Sequence, residues 1–276
     1  MSHDPFRIAG PALVSFSGGR TSGYMLWRIV QAHGGALPDD VKVTFANTGK
    51  EMPQTLDFVR DCGERWGVEI VWLERLPSLF GDRLRRVDHK SAARNGEPFA
   101  ALIAERKFLP NPVTRFCTSE LKIRVMRDYA RSLGWDEWDN IVGLRADERH
   151  RVARATAQTR ERWTTVCPLA EAGVTVRDVA DFWAAQEWGL ALPTPNGRTP
   201  NGNCDLCFLK PLATITGVMR DDPSRADWWI EQEEKTGGRF RKDWPTYDAL
   251  RDMALAQGNL PFAGESLTDC YCTGDA

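Results

Sequence analysis

Short apolar or alternating stretches mark the first part of the chain, and each closes in a turn rich in Gly, Asn or Ser. Pro11-Ala12-Leu13-Val14 leads into an apolar run that predicts a buried strand. Val41-Lys42-Val43-Thr44-Phe45-Ala46 alternates apolar and polar positions and is rich in β-branched residues, which predicts a second. Glu69–Leu73 and Asn140–Leu144 predict two more. Between them the period lengthens. Tyr24, Met25, Trp27, Ile29 and Val30 fit a helix that stops at Gly34-Gly35, and Leu56, Phe58, Val59 and Cys62 share one face of a helix that Pro53 can start. Strands separated by helices at this spacing predict an α/β fold with a mostly parallel sheet flanked by helices. Ligands of such sheets bind beyond the carboxyl ends of the strands.

Further on, helices are expected at Pro98–Phe108, over Val125, Met126, Tyr129 and Leu133 with Thr118 or Ser119 as cap, and over Val176, Val179, Phe182 and Trp183. Thr164–Leu169 opens the unit before the last of these. Arg75 to Asn95 shows no clean period and carries Arg83, Arg85, Arg86, His89, Lys90 and Arg94. A solvated loop is the plain expectation there, and a basic lid over an anionic substrate the sharper one. After a Pro/Gly/Asn loop over Pro193–Asn203 the pattern turns helical: Leu212–Arg220, Arg225–Lys235 and Thr246–Ala256. The chain is therefore divided into an α/β domain over residues 1–210 and a helical extension over 211–276 with a cysteine-bearing tail.

Composition narrows the class. The 276 residues are 42% hydrophobic and 27% charged, with a net charge of -2, so a proper core is affordable and no overall basic field exists. Eleven tryptophans are expected mostly in packing. No apolar run is long enough to span a bilayer, and Met1-Ser2-His3-Asp4-Pro5 is no leader, so no membrane partner and a cytoplasmic location are expected. In that compartment seven cysteines argue for metal or catalysis over disulfides.

The candidate chemistry lies in the turns. Ser15-Phe16-Ser17-Gly18-Gly19-Arg20-Thr21-Ser22 sits between the first strand and the first helix. Glycines admit a ligand close to the backbone, unpaired N–H groups at the helix start face it, and Ser17, Thr21, Ser22 and Arg20 add donors suited to phosphate or sulfate. The Walker and dinucleotide patterns are both absent. Asn47-Thr48-Gly49-Lys50-Glu51 ends the second strand, so it is expected to face the same pocket. Gly143-Leu144-Arg145-Ala146-Asp147-Glu148-Arg149 ends a later strand and is a second candidate anion loop. Cys117 lies between Arg115 and Lys122 near a helix start, an environment for a nucleophile or a metal ligand. Cys204-Asp205-Leu206-Cys207 can hold a metal or cluster edge or act as a redox pair.

Ser17-Gly18-Gly19 resembles the PP-loop of ATP pyrophosphatases and sulfonucleotide reductases, with Thr21 where many such loops carry Asp. Taken with Asn47-Thr48-Gly49 and Glu51, the Cys117–Arg124 segment, Gly143-Leu144-Arg145-Ala146-Asp147-Glu148, and Cys204 with Cys207, the chain resembles the phosphoadenosine phosphosulfate reductase family in its phage and prophage members. The resemblance implies a Rossmann-like PP-loop fold. It also implies an adenine nucleotide (ATP, APS or PAPS) held by Ser15, Ser17, Gly18, Gly19, Arg20, Thr21, Ser22, Asn47, Thr48, Glu51, Gly143, Arg145 and Glu148, with Mg2+ as an accompanying ion.

By the same resemblance a [4Fe–4S] cluster takes Cys117, Cys204 and Cys207, and its fourth ligand comes from Cys270, Cys272 or Cys167, with the tail pair favoured. A structural zinc would use the same thiolates. The main expectation is an oxidoreductase. Arg145 and the phosphate loop hold an adenylyl sulfate, Cys270 or Cys272 attacks the sulfur, and a thioredoxin-like donor lets sulfite leave. The tail Asp269-Cys270-Tyr271-Cys272 is only a loose analogue of the reductases' motif. The alternative is an ATP pyrophosphatase, a transferase that adenylates a nucleic acid or other acceptor for iron–sulfur-dependent sulfur transfer. Under it, the basic stretches Arg83–Arg94 and Arg149–Arg162 meet a polynucleotide. A binding or redox-sensing module without turnover is a third class.

Overall fold

A strand buried on both faces must be apolar at every position, and Ala12, Leu13 and Val14 meet that demand. In β1 (Ala12–Ser15), Ala12 and Val14 enter one apolar cluster while Leu13 enters another on the opposite face. The structure, a computed structural model describing residues 4–77, 83–157, 161–197 and 199–256, places this strand inside a six-stranded sheet. On one side lie β2 (Val41–Ala46), β3 (Ile70–Arg75) and β4 (Leu84–Val87), and on the other β5 (Trp138–Val142) and β6 (Trp163–Val166). Every pair is parallel except β3–β4. The chain thus winds outward from β1 in one direction, then crosses back and continues in the other. This is the mostly parallel, helix-flanked α/β sheet that the periodicity predicts.

Helices α1 (Arg20–Ala32) and α2 (Pro53–Trp66) join the first three strands. Between β4 and β5 come α3 (Glu97–Arg106), the short α4 (Phe116–Thr118), a π-helical turn over Ser119–Ile123, and α5 (Arg124–Ser132). Helix α6 (Arg149–Thr156) links β5 to β6, and α7 (Pro168–Glu171) and α8 (Val176–Ala184) follow. The last described elements are α9 (Leu212–Asp221), α10 (Ala226–Thr236) and α11 (Tyr247–Ala256). Buried residues of α1, α2 and α8 cover one face of the sheet, and Val125, Tyr129 and Ala130 of α5 cover the other. A separate apolar cluster joins Phe99, Leu102 and Ile103 of α3 to Cys204–Leu209 and the buried faces of α9, α10 and α11. Among the described residues no helix is long and apolar enough to cross a membrane.

Two local expectations are corrected. The stretch expected as a loop or basic lid contains β4, an antiparallel edge strand paired with β3. Several of its charges are engaged: Arg85 binds Glu74 at 2.7 Å, Arg86 binds Glu69 at 2.8 Å, and His89 meets Asp57 at 2.8 Å. Arg94 donates to the carbonyls of Ala92 and His89. Pairing with β3 makes this stretch part of the sheet, not a free loop. The second correction concerns Thr118 and Ser119, expected as caps. The helix begins earlier, at Phe116, without a side-chain cap, and Ser119 Oγ donates back to the Phe116 carbonyl at 3.2 Å. Cys117 consequently lies inside the first turn.

Candidate functional site

The sheet reverses its winding between β1 and β5, and ligands of open parallel sheets occupy the crevice at such a point. Ser15 ends β1 level with Thr44 of β2 and Val142 of β5, so the loops that follow all emerge at one end. Ser15 itself serves the sheet, its hydroxyl donating to Asn140 Oδ1 at 2.7 Å. The chain then turns at Gly18, whose φ of +74° is strained for any other residue, and an added Cβ would stand 2.7 Å from Thr55 Cγ2. Gly19 precedes α1 and has no side chain to cap it, and no acidic residue occupies the first turn. The helix therefore presents bare amides and the positive end of its dipole. Ser17 Oγ and Ser22 Oγ lie 3.0 Å apart, and Ser22 also bonds the Gly19 backbone.

Arg20 decides what this loop suits. Its guanidinium is half-buried, its Nε is buried without a hydrogen-bond partner, and among the described residues it forms no ion pair. Burial pulls its pKa down from the ordinary guanidinium value. A cation held this way at a helix N-terminus has the chemistry to take an anion.

The β5 loop closes the other side. Gly143 comes so near α1 that an added Cβ would stand 3.2 Å from Ser22 Cα. Arg145 reaches across and donates from Nη1 to Thr21 Oγ1 at 3.1 Å. Its backbone N–H donates to Glu148 Oε2 at 2.9 Å, and its side chain also meets Asp147 at 3.0 Å. Glu148 further pairs with Arg151. Glu148 thus orients the loop, while Arg145 is the group that reaches the helix start.

The Asn47–Glu51 turn is buried and bonded internally. Asn47 Nδ2 donates to Glu74 Oε1 at 2.6 Å and to the Ala93 carbonyl at 2.9 Å. Thr48 donates through its N–H and hydroxyl to Glu51. Sequence reasoning missed Glu74, which is wholly buried and accepts from Asn47, Ala93 N–H and Arg85. Its only sequence signal is a carboxylate at the end of an otherwise apolar strand. The turn is also stitched to the Cys-x-x-Cys segment. Glu51 bridges Cys204, Asp205 N–H donates to the Lys50 carbonyl at 2.8 Å, and Thr48 Oγ1 lies 3.4 Å from Cys204 Sγ. Asp205, also missed, is buried between the two cysteines; it pairs with Lys50 at 3.2 Å and accepts from Trp229 Nε1 at 2.9 Å.

The thiols divide into groups. Cys204 and Cys207 are buried in one apolar cluster, with Cys117 packed against its edge. Three soft donors in an apolar shell have the chemistry an iron–sulfur cluster or zinc requires. Among the described residues, however, no group of three or more His, Cys, Asp or Glu side chains is placed to hold a metal ion. Cys270 and Cys272 lie outside the described residues. Cys167, a candidate fourth ligand, belongs elsewhere: it packs with Val142, Leu144 and Ala155, where burial pushes its thiol up to about 11. Cys167 therefore lies in a different apolar cluster from Cys117, Cys204 and Cys207. Cys62 is buried under the sheet with its thiol pKa raised further still.

No family model matches the chain. The uncharacterized nin region protein ORF290 of Escherichia phage lambda is 28% identical over 218 residues, covering 76% of this chain and 70% of that protein. Among solved structures, the U34-tRNA thiolase NcsA from Methanococcus maripaludis with its [4Fe–4S] cluster overlaps at a TM-score of 0.42 and 14% identity, covering 95% of this chain and 78% of that one. A likeness at that level carries no inference about activity.

Proposed function

We propose that this chain is a nucleotide-dependent enzyme that holds the phosphates of ATP on Ser17–Ser22 and adenylates an acceptor for sulfur transfer. The observation that carries this reading is the half-buried Arg20 at the start of α1, which has no ion-pair partner among the described residues, with Arg145 joined to Thr21 from the opposite side. Two cations and a row of bare amides around one short loop suit a diphosphate better than a single sulfate. The choice of an adenine nucleotide comes from the resemblance of Ser17-Gly18-Gly19 to the PP-loop.

In this reaction an acceptor oxygen attacks the α-phosphorus, a P–O bond forms to the acceptor, and the bond to the β-phosphate oxygen breaks. Negative charge grows on the departing pyrophosphate, where Arg20, Arg145 and the first-turn amides stabilise it. The adenylated carbon is then open to a sulfur nucleophile that displaces AMP. The resemblance assigns Cys117, Cys204 and Cys207 to a [4Fe–4S] cluster, which they would hold only once drawn together with a further ligand, and such a cluster would supply iron for binding sulfur or passing electrons. The basic residues of α6 follow directly on the Arg145 loop, on the route by which a polynucleotide acceptor would approach.

The contact of Thr48 with Cys204 favours a second reading, because it brings thiols beside the nucleotide turn. There a tail thiolate attacks the sulfur of an adenylyl sulfate and the sulfur–oxygen bond to AMP breaks. A second thiol then releases sulfite as a disulfide forms, and a thioredoxin-like dithiol reduces that disulfide. Anaerobic full-length protein is incubated with labelled ATP, Mg2+ and bulk RNA, and separately with labelled adenylyl sulfate and a dithiol. AMP with pyrophosphate supports the first reading, and sulfite the second. No product and no nucleotide binding overturn both.

A further inference from the structure

The anion loop is braced by a residue that lies in none of the motifs. Trp183, in α8, is almost wholly buried, and its indole Nε1 donates to the Arg20 carbonyl at 2.8 Å. Its ring fills the space left by Gly23, where an added Cβ would stand 2.9 Å from Trp183 Cζ2 and 2.9 Å from Phe58 Cζ. Phe58 and Trp188 pack edge-on against the ring, with centroids 5.1 Å and 5.6 Å away, while the hydrogen bond to Arg20 comes from Trp183 alone. The first turn of α1 has no side-chain cap from Gly19, so the loop depends on outside contacts to stay in place. Arg20 needs this support most: among the described residues no ion pair fixes its guanidinium and its Nε has no hydrogen-bond partner, while its backbone is tied down by Trp183.

We propose that Trp183 is a positioning residue of the anion site. It fixes the backbone of Arg20 at the first helical position and so aims the guanidinium and the neighbouring amides at the phosphate before it binds. This rests on the anion-site reading above. Preorganisation of this kind lowers the cost of binding and adds no contact to the ligand.

The test measures inorganic pyrophosphate binding by titration calorimetry on the full chain, with hydrogen exchange at Arg20–Gly23 in the free protein. Trp183→Phe keeps an aromatic ring and removes the N–H. It is expected to weaken binding about threefold to tenfold, the worth of one hydrogen bond, and to speed exchange at those amides. Gly23→Ala displaces the ring and is expected to do the same, which keeps the comparison available if the first variant folds poorly. Trp188→Phe disturbs the same aromatic group without touching the loop and is expected to bind as the wild type does. Unchanged affinity in Trp183→Phe, or an equal loss in Trp188→Phe, overturns the proposal. Unchanged affinity in Arg20→Ala, or no binding by the wild type, removes the anion-site reading itself.

Discussion

Arg20 and Arg145 face the same loop with different partners in the free protein. Arg20 has none among the described residues, whereas Arg145 is shared between Thr21 and the acidic pair Asp147 and Glu148. An incoming anion must therefore compete with Asp147 for the Arg145 fork. Asp147→Asn weakens that competitor, so pyrophosphate affinity measured without Mg2+ should rise about threefold, for a pair that is exposed and worth well under 1 kcal/mol. An unchanged value would mean that Arg145 does not reach the anion. Cysteine chemistry is also set at this scale. Cys62 and Cys167 are buried in apolar surroundings that favour the neutral thiol, with Cys167 raised to about 11. Both should resist iodoacetamide in the folded protein at pH 8, as read by mass spectrometry. The unfolded chain releases these protons first, so their contribution to stability is whole below the ordinary thiol value of 9.0 and falls as pH rises beyond it. A melting temperature that holds level into that range would contradict this burial.

At the scale of elements, legibility follows the hydrophobic period. β1, β2, β3 and β5 are buried strands of a parallel sheet, and their Val, Ile and Leu runs stand out against the polar turns. The start of α2 was legible in Pro53. β4 was not, because Leu-Arg-Arg-Val on a sheet edge looks like any solvated charge run until Glu74 and Glu69 are brought opposite it. The loops of the candidate site were legible from their Gly, Ser and Arg content. Their supports were not, since Glu74, Asp205 and Trp183 reach partners far away in the sequence, which no local pattern reveals. Glu74 makes β4 a test of this point. Arg85→Ala leaves a fully buried carboxylate with fewer donors, and Arg85 itself is half exposed, so the expected loss is about 1–2 kcal/mol in urea denaturation. A loss near zero would show that the edge strand is held by its backbone bonds alone.

On the scale of the whole molecule, the apolar cluster around Cys204–Leu209 ties the C-terminal helices to the thiol turn. Trp229 stacks on Tyr247 with ring centroids 5.2 Å apart, and Tyr247 donates its hydroxyl to the Leu206 carbonyl at 2.6 Å. Tyr247→Phe removes that bond and should cost about 1 kcal/mol. It should also speed alkylation of Cys204 and Cys207, because the carbonyl lies between them in the chain. Equal alkylation rates would mean that the helices do not hold the turn. The sheet places the Ser17–Ser22 loop at its switch point, and the Asn47–Glu51 turn joins that region to the thiols. Completion of Arg20 by an anionic nucleotide is the core of the proposed function. Its most direct test is calorimetric titration of ATP into wild type and Arg20→Ala, both full length and matched for thermal stability. Loss of a charge-assisted bond predicts at least about tenfold weaker binding in the variant, whereas equal affinity, or no binding to the wild type, contradicts the claim.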